Sequence, residues 1–325
     1  MRSASSCVLA LVLLAGATAH ADEMDVDLAR LRIDNGDGTF TADNANYRRL
    51  MSQLGFALIS PVLAPARTTG YRGFYIGFET SVVQIDDDTD YWRRGTEGDS
   101  QSVGENRFVT ATLPSSRVHL RKGLPYGLEL GANFGRLYNT DTWILGAELR
   151  IALLEGFRRG SAGWLPDLAV RGAVRTLVGA EQYHLTVPSF DIVLSKPIVL
   201  GGTVTLTPIV AGQFAWILAD SDAVDLTPEV NAFEQCMPTA EQPVSGDLSP
   251  IRCAGSPRDF ENDQVFDDVR AFRGRLAVGM EIRYRVFTLA ATFHWDLRAP
   301  GDIDSAIPDD IPRQWDLSIA VGATY

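Results

Sequence analysis

The sequence predicts an all-β chain: a transmembrane, up-and-down antiparallel β-barrel of about ten strands, preceded by a short helical segment. Three observations lead there. Past residue 21 no apolar run reaches the about eighteen residues a membrane helix needs, although 46% of the chain is hydrophobic. The apolar residues alternate instead, over segments long enough to cross a bilayer as tilted strands, about nine to eleven residues each. Finally, long and short connections alternate along the chain, as they do when the loops of a barrel are divided between two rims.

Taken in order, residues 1–21 have the form of a secretory signal. Arg2 starts it, Val8 to Leu14 is apolar, and Ala19-His20-Ala21 makes an A-x-A cleavage site. Cys7 precedes the apolar stretch, which is not where a lipid-attachment cysteine stands. Residues 22–70 form an N-terminal segment without a strand pattern. Within it, Tyr47, Leu50, Met51, Leu54 and Leu58 make one stripe at helical spacing from Asn44 to Ser60. Asp43 or Asn44 is the expected N-cap and Ser60-Pro61 the stop. Such a helix either plugs the lumen or packs on the rim. Asp34-Asn35-Gly36-Asp37-Gly38 resembles a calcium loop but lacks the first-position carboxylate and the twelfth-position Glu, and is expected to be a polar turn.

The barrel is expected over residues 71–325, with strands near 71–85, 106–121, 126–138, 142–155, 167–178, 182–195, 199–218, 269–285, 286–297 and 312–325. In the fourth, Trp143, Leu145, Ala147, Leu149, Ile151 and Leu153 share a face opposite Gly146, Glu148, Arg150 and Ala152. In the eighth, Phe272, Leu276, Val278, Met280, Ile282 and Tyr284 oppose Arg273, Arg275, Glu281, Arg283 and Arg285. Charges confined to one face suit lipid outside and a polar lumen inside. An even strand count puts both ends on one side, and the long connections 86–105, 219–268 and 299–311 then share one rim. An extra hairpin in a long loop would raise the count to twelve. Trp143, Trp216, Phe293, Trp295, Trp315 and Tyr325 lie toward strand ends on the outward register, where interfacial aromatics belong.

The final segment reads Trp315, Leu317, Ile319, Val321, Ala323 and Tyr325 at every second position. It resembles the C-terminal assembly signal of Gram-negative outer-membrane β-barrel proteins. The resemblance implies a bacterial outer-membrane location, contact with lipid and lipopolysaccharide, and insertion by the barrel-assembly machinery. It singles out no transport family.

Charge narrows the partners. With 41 Asp+Glu against 29 Lys+Arg, the chain carries a net charge of -12, which repels nucleic acid. The three long loops hold 23 of those acids. Inward positions instead carry Arg117, Arg121, Arg150, Arg171, Arg175, Arg273, Arg275, Arg283 and Arg285, with Glu79, Glu129, Glu148, Asp191, Glu281 and Asp316. A barrel only slightly wider than eight strands leaves a narrow lumen that such pairs can largely fill. After processing two cysteines remain, Cys236 and Cys253, and in an exported chain they are expected to form one local disulfide. No metal site and no cofactor are expected.

His294 and Asp296 share the inward face of the ninth strand, near Asp86 and Asp88 at the top of the first. This grouping resembles the water-activating groups of the omptin proteases, which are ten-stranded barrels. No wider omptin motif accompanies it, nor G-x-S-x-G nor a Walker loop, so no catalysis is expected. The activity read from the sequence is a narrow pore or small-solute channel of unknown solute. The alternative is a structural or surface-interaction barrel with a filled lumen, and an omptin-like protease ranks last.

Overall fold

A computed structural model describes residues 23–99, 104–156, 164–230, 257–297 and 311–325. The chain begins with a β-hairpin, β1 (Arg32–Asp34) and β2 (Phe40–Ala42), and a helix α1 (Asn44–Leu58). Ten strands then form the barrel: β3 (Phe74–Gln84), β4 (Thr112–Gly123), β5 (Leu128–Leu137), β6 (Trp143–Leu154), β7 (Asp167–Val178), β8 (Tyr183–Ser195), β10 (Val204–Ser221), β13 (Val269–Tyr284), β14 (Phe287–Asp296) and β15 (Trp315–Thr324). A short helix α2 (Asp90–Arg94) lies in the first long loop. The strand β9 (Ile198–Leu200) extends the β8–β10 turn, and β11 (Ala223–Asp225) pairs with β12 (Asp263–Val265) above β10 and β13.

Each barrel strand is antiparallel to the next, and the ring closes between β15 and β3, from Asp316 opposite Val83 to Thr324 opposite Tyr75. Beyond that ladder, Tyr325 N–H donates to Phe74 O (2.8 Å) and Phe74 N–H to Tyr325 O (2.9 Å). No barrel strand keeps an unpaired edge, as a sheet in hydrocarbon requires. The count is ten among the described residues, and no helix there is long and apolar enough to cross a membrane.

The alternation is realised around the ring. Phe78, Leu120, Phe134, Leu149, Ile192, Val210, Val278 and Ile319 point outward and are exposed, whereas their odd-register neighbours are buried inside. The aromatic set divides by rim. Trp143, Trp216, Trp295 and Trp315 lie at the long-loop ends, where Trp143 stacks on Phe134 (4.9 Å) and Phe293 on Trp315 (6.0 Å). Tyr325 lies at the short-turn rim with Phe74, Tyr284 and Phe287, all exposed. Trp315 is half-buried, while Leu317, Ile319 and Val321 face outward.

Residues 22–70 depart from the sequence reading in one respect. The β1–β2 hairpin interrupts the segment, and the polar turn Asp34–Gly38 is its tip. Gly36 and Gly38 both sit at positive φ there, and Asp34 Oδ1 accepts from Gly36 N–H (2.8 Å). Three residues per strand are too few to show a period in the sequence.

The route of this segment sets the architecture. Its first residues lie across the long-loop rim, where Met24 N–H donates to Asn139 O, Asp27 N–H to Gly95 O and Leu28 N–H to Gln182 Oε1. Helix α1 then descends into the lumen, capped by Asp43, whose carboxylate accepts from Asn46 N–H (3.1 Å). After Leu58 the chain runs extended to the short-turn rim, where Thr69 N–H donates to Glu129 Oε2 (2.8 Å). A turn through Gly70 (φ 82°) leads into β3. Gly123 makes room for that turn, since a Cβ on it would stand 2.0 Å from Gly70 O. The segment therefore threads the barrel from one rim to the other.

Candidate functional site: the filled lumen

Near the long-loop rim the inward positions are apolar: Val83, Leu113, Ile144, Leu177, Leu185, Val187 and Ile217 are buried against α1. From Leu50 to Leu58 the helix meets wall on every side, so there even its non-stripe residues are buried. Gln53 shows how they are satisfied. Its Oε1 accepts from Trp92 Nε1 (2.7 Å) and Asp86 N–H (3.1 Å), and its Nε2 donates to Tyr91 Oη (3.0 Å), which ties α1 to the first long loop. Tyr47 packs on Phe266 (ring centroids 4.9 Å apart), and burial raises its hydroxyl pKa above the ordinary tyrosine value.

One step lower the wall becomes charged. Arg273 pairs with Asp296 and donates to Ser52 Oγ (3.2 Å) and Gln314 Oε1 (3.1 Å), with Phe56 under its guanidinium. Below it the extended chain supplies the acceptors. Arg275 donates to Ile59 O (3.1 Å) and Ser60 O (3.2 Å), lies 3.4 Å from Asp316 and bonds Gln213 Oε1. Arg171 pairs with Asp191 (2.5 Å) and Glu148 (2.9 Å) and donates to Ser60 O and Pro61 O, both at 3.0 Å. Ser60 O also accepts from Gln213 Nε2 (2.7 Å). Lower still, Arg150 meets Glu129 (3.1 Å) and Pro65 O (3.3 Å), Arg121 meets Glu129 (3.3 Å), and Ser195 Oγ accepts from Ala66 N–H (2.9 Å).

Beside this column, Glu79 gathers His119 (2.5 Å), Arg117 (3.5 Å) and Arg175 (3.9 Å), and the other ring nitrogen of His119 stands 3.2 Å from Glu148. The gap between Pro61, Leu63 and this cluster is about 10 Å³, which is marginal for one water molecule.

The expected inward residues Arg117, Arg121, Glu129, Glu148, Arg150, Arg171, Arg175, Arg273, Arg275 and Glu281 are all buried on the lumen side. Arg283 is half-buried at the short-turn mouth. Arg285 is not on the strand register: it occupies the β13–β14 turn at φ 54°, exposed and 5.5 Å over the Tyr284 ring. A two-residue turn takes its own residues out of the pleat. The sequence reading gave no role to His119, Gln53, Gln213 or Gln314. The parity of His119 with Arg117 and Arg121 marks it as inward. Cys236 and Cys253 lie outside the described residues, as does the signal segment.

The four omptin-like candidates do not assemble into one group. The Val62 N–H donates to His294 Nε2 (3.0 Å), so that nitrogen keeps its lone pair and the ring is neutral. Its Nδ1 faces Asp316 (3.2 Å), not Asp296, which is held by Arg273. Asp88 pairs with Arg93 on the surface (2.8 Å). The physical reason is register: in the β14–β15 ladder, residue 294 stands opposite residue 316. Residues two apart on one strand share a face but are farther from each other than cross-strand partners.

At the long-loop rim two carboxyls are held above the ordinary range. Burial does so first for Glu97, helped by Asp27 and Asp25 and opposed by Arg30. Burial and then Asp87 and Asp88 do so for Asp86. Among the described residues no cluster of His, Cys, Asp and Glu has a metal-holding arrangement.

No protein-family model matches the chain, and no curated sequence does. Solved structures give low-scoring likenesses. Ail, the attachment invasion locus protein of Yersinia pestis, solved with the heparin analogue sucrose octasulfate, is 8% identical over 78% of this chain and 99% of its own, with a TM-score of 0.26. The N-terminal β-barrel domain of Pseudomonas aeruginosa OprF is 9% identical over 79% and 99%, with a TM-score of 0.29. Neisserial surface protein A is 9% identical over 77% and 96%, with a TM-score of 0.27. At such scores the barrel rests on its own hydrogen-bond register.

Proposed function

We propose that this chain is an outer-membrane β-barrel whose lumen is sealed by its own N-terminal segment, and that it works at the cell surface as a structural or interaction protein rather than as an open pore. The observation that carries this reading is the passage of residues 44–70 down the whole lumen, with Ser60 O, Pro61 O and Pro65 O taking donors from the wall arginines. A segment so bonded is part of the barrel's interior rather than a loose obstruction, because releasing it strands buried guanidinium donors. The outward apolar band supports a lipid surround, and the acidic long loops, facing outward, suit contact with lipopolysaccharide through divalent ions. Export by residues 1–21, a Cys236–Cys253 link in the outer loop and insertion through the Trp315–Tyr325 strand belong to the same reading. Hydrolysis does not, since His294 is buried beneath Val62.

Two measurements test it. Purified full-length protein in planar bilayers is expected to be silent, while protein lacking residues 23–66 gives steps. Reproducible steps from the intact chain would refute sealing. A short epitope inserted before Glu23 is expected to be labelled on intact cells, since residues 23–31 lie on the long-loop rim.

A further inference from the structure

At the short-turn mouth the threaded segment and the wall enclose a cavity of about 250 Å³. Arg67, Arg121, Arg283 and Arg285 line it, with Asp167 and Glu281. Their bonding is incomplete. Arg121 is 6% exposed, and its Nε is buried without a hydrogen-bond partner. Arg67 Nε is also buried without one, its nearest carboxylate oxygens being 3.8 Å and 3.9 Å away on Glu155 and Asp167. Arg283 donates only to the Arg285 carbonyl, at 3.1 Å, and has no ion pair among the described residues. The hydroxyl of Thr69, in the threaded segment, is buried and unpartnered.

These groups are donors lacking acceptors. Arg121 is balanced by Glu129, and Arg67 stands beside Glu155 and Asp167, whereas Arg283 and Arg285 have no carboxylate within ion-pair distance among the described residues, so the unbalanced positive charge lies on their side of the cavity. An anion is the occupant that completes them, and guanidinium forks favour one with several oxygens. The acids refine the choice. Asp167 Oδ2 is buried without a partner, and Glu281, 8% exposed, has no hydrogen bond or ion pair among the described residues. Carboxylates beside an oxyanion repel it unless it brings a proton to share. Phosphate near neutral pH carries one or two protons, whereas sulfate carries none.

We propose that this mouth is a binding site for a protonated oxyanion of the phosphate type, held by Arg67, Arg121 and Arg283 and donating to Glu281 or Asp167. Arg67 belongs to the threaded segment and Arg121 and Arg283 to the wall, so the occupant ties one to the other. The site is independent of whether the barrel conducts. The cavity opens at the end of the lumen rather than through the lipid-facing wall, which suits free phosphate or a phosphomonoester.

The test uses the full-length folded protein in detergent and inorganic phosphate, by equilibrium dialysis. Saturable binding near one per chain is expected, with sulfate at least about tenfold weaker. Arg67→Gln and Arg283→Gln, at half-exposed positions, are each expected to weaken phosphate by at least about tenfold. Glu281→Gln is expected to narrow the gap to sulfate, since an amide donates where the carboxylate could not. Arg136→Gln, at the opposite rim, leaves binding unchanged. A band that still shifts on heating verifies that each variant is folded. Absence of saturable phosphate binding, or binding indifferent to both Arg67→Gln and Arg283→Gln, overturns the site; equal phosphate and sulfate affinities overturn the proton-sharing arrangement. Competition by a short-chain phosphatidate supports the same site with a lipid headgroup as its source, and lack of competition supports free phosphate.

Discussion

The two halves of the lumen are filled by different backbones because their walls have different chemistry. On β4 the inward residue near the long-loop rim is Leu113, and lower down Arg117 and Arg121; on β7 the sequence is Leu177, then Arg175 and Arg171; on β10 it is Ile217, then Gln213. The apolar upper wall receives α1, whose backbone groups bond one another and ask nothing of their surroundings. The charged lower wall receives an extended chain whose carbonyls have no internal partners and accept from Arg171, Arg275 and Gln213 instead. Either filling exchanged for the other would leave buried groups unpaired: carbonyls against leucine, or guanidinium groups against a helix whose carbonyls are already taken. The hand-over falls at Phe56, which packs among the upper core while Arg273 and Arg275 lie 5.4 Å over its ring.

The comparison predicts that the lower half is the more vulnerable to loss of one group. Arg171→Met takes the guanidinium partner from Asp191 and Pro61 O and one of several partners from Glu148 and Ser60 O, and is expected to cost about 3–5 kcal/mol in urea unfolding of the detergent-folded barrel. The upper half should respond by sterics. In Gly55→Ala the new Cβ would stand 2.4 Å from Ile217 Cγ2, a crowding worth about 1–3 kcal/mol, and adding Ile217→Ala should relieve part of it. A larger loss from Gly55→Ala than from Arg171→Met would reverse the assignment of strength between the halves.

The smallest effect concerns the rim above both. The Glu97 carboxyl is raised by burial and by Asp27 and Asp25, so the folded protein holds its proton more tightly than the unfolded chain does. Its stabilising contribution is present when it is protonated and is lost as pH rises through the raised value. Going from about pH 7 to about pH 5 should therefore raise the protection of the amides of residues 23–31, measured as exchange relative to the unfolded chain at the same pH, by a few tenths of a kcal/mol at this partly exposed site. Glu97→Gln should raise protection at pH 7 and remove its pH dependence. Greater protection at the higher pH in the unchanged protein would contradict the sign.

What the sequence determined by itself is the part of the molecule written in local periods. Alternation at every second residue located all ten barrel strands, from Asp167–Val178 at the very bounds expected to Thr112–Gly123, whose start falls six residues late because 106–111 belong to the loop. The stripe from Tyr47 to Leu58 and a cap at Asp43 or Asn44, which the structure places at Asp43, marked α1 for the same reason: both are relations between residues within one or two turns. The tertiary structure alone decided where that helix goes, since a buried stripe records that a face is covered and not by what. It decided that Ser60 O is the acceptor for three side chains, because a carbonyl has no signature in the residue that bears it. And it paired His294 with Asp316 rather than Asp296, because two strands adjacent in the ring bring side chains closer across the ladder than the pleat brings them along one chain.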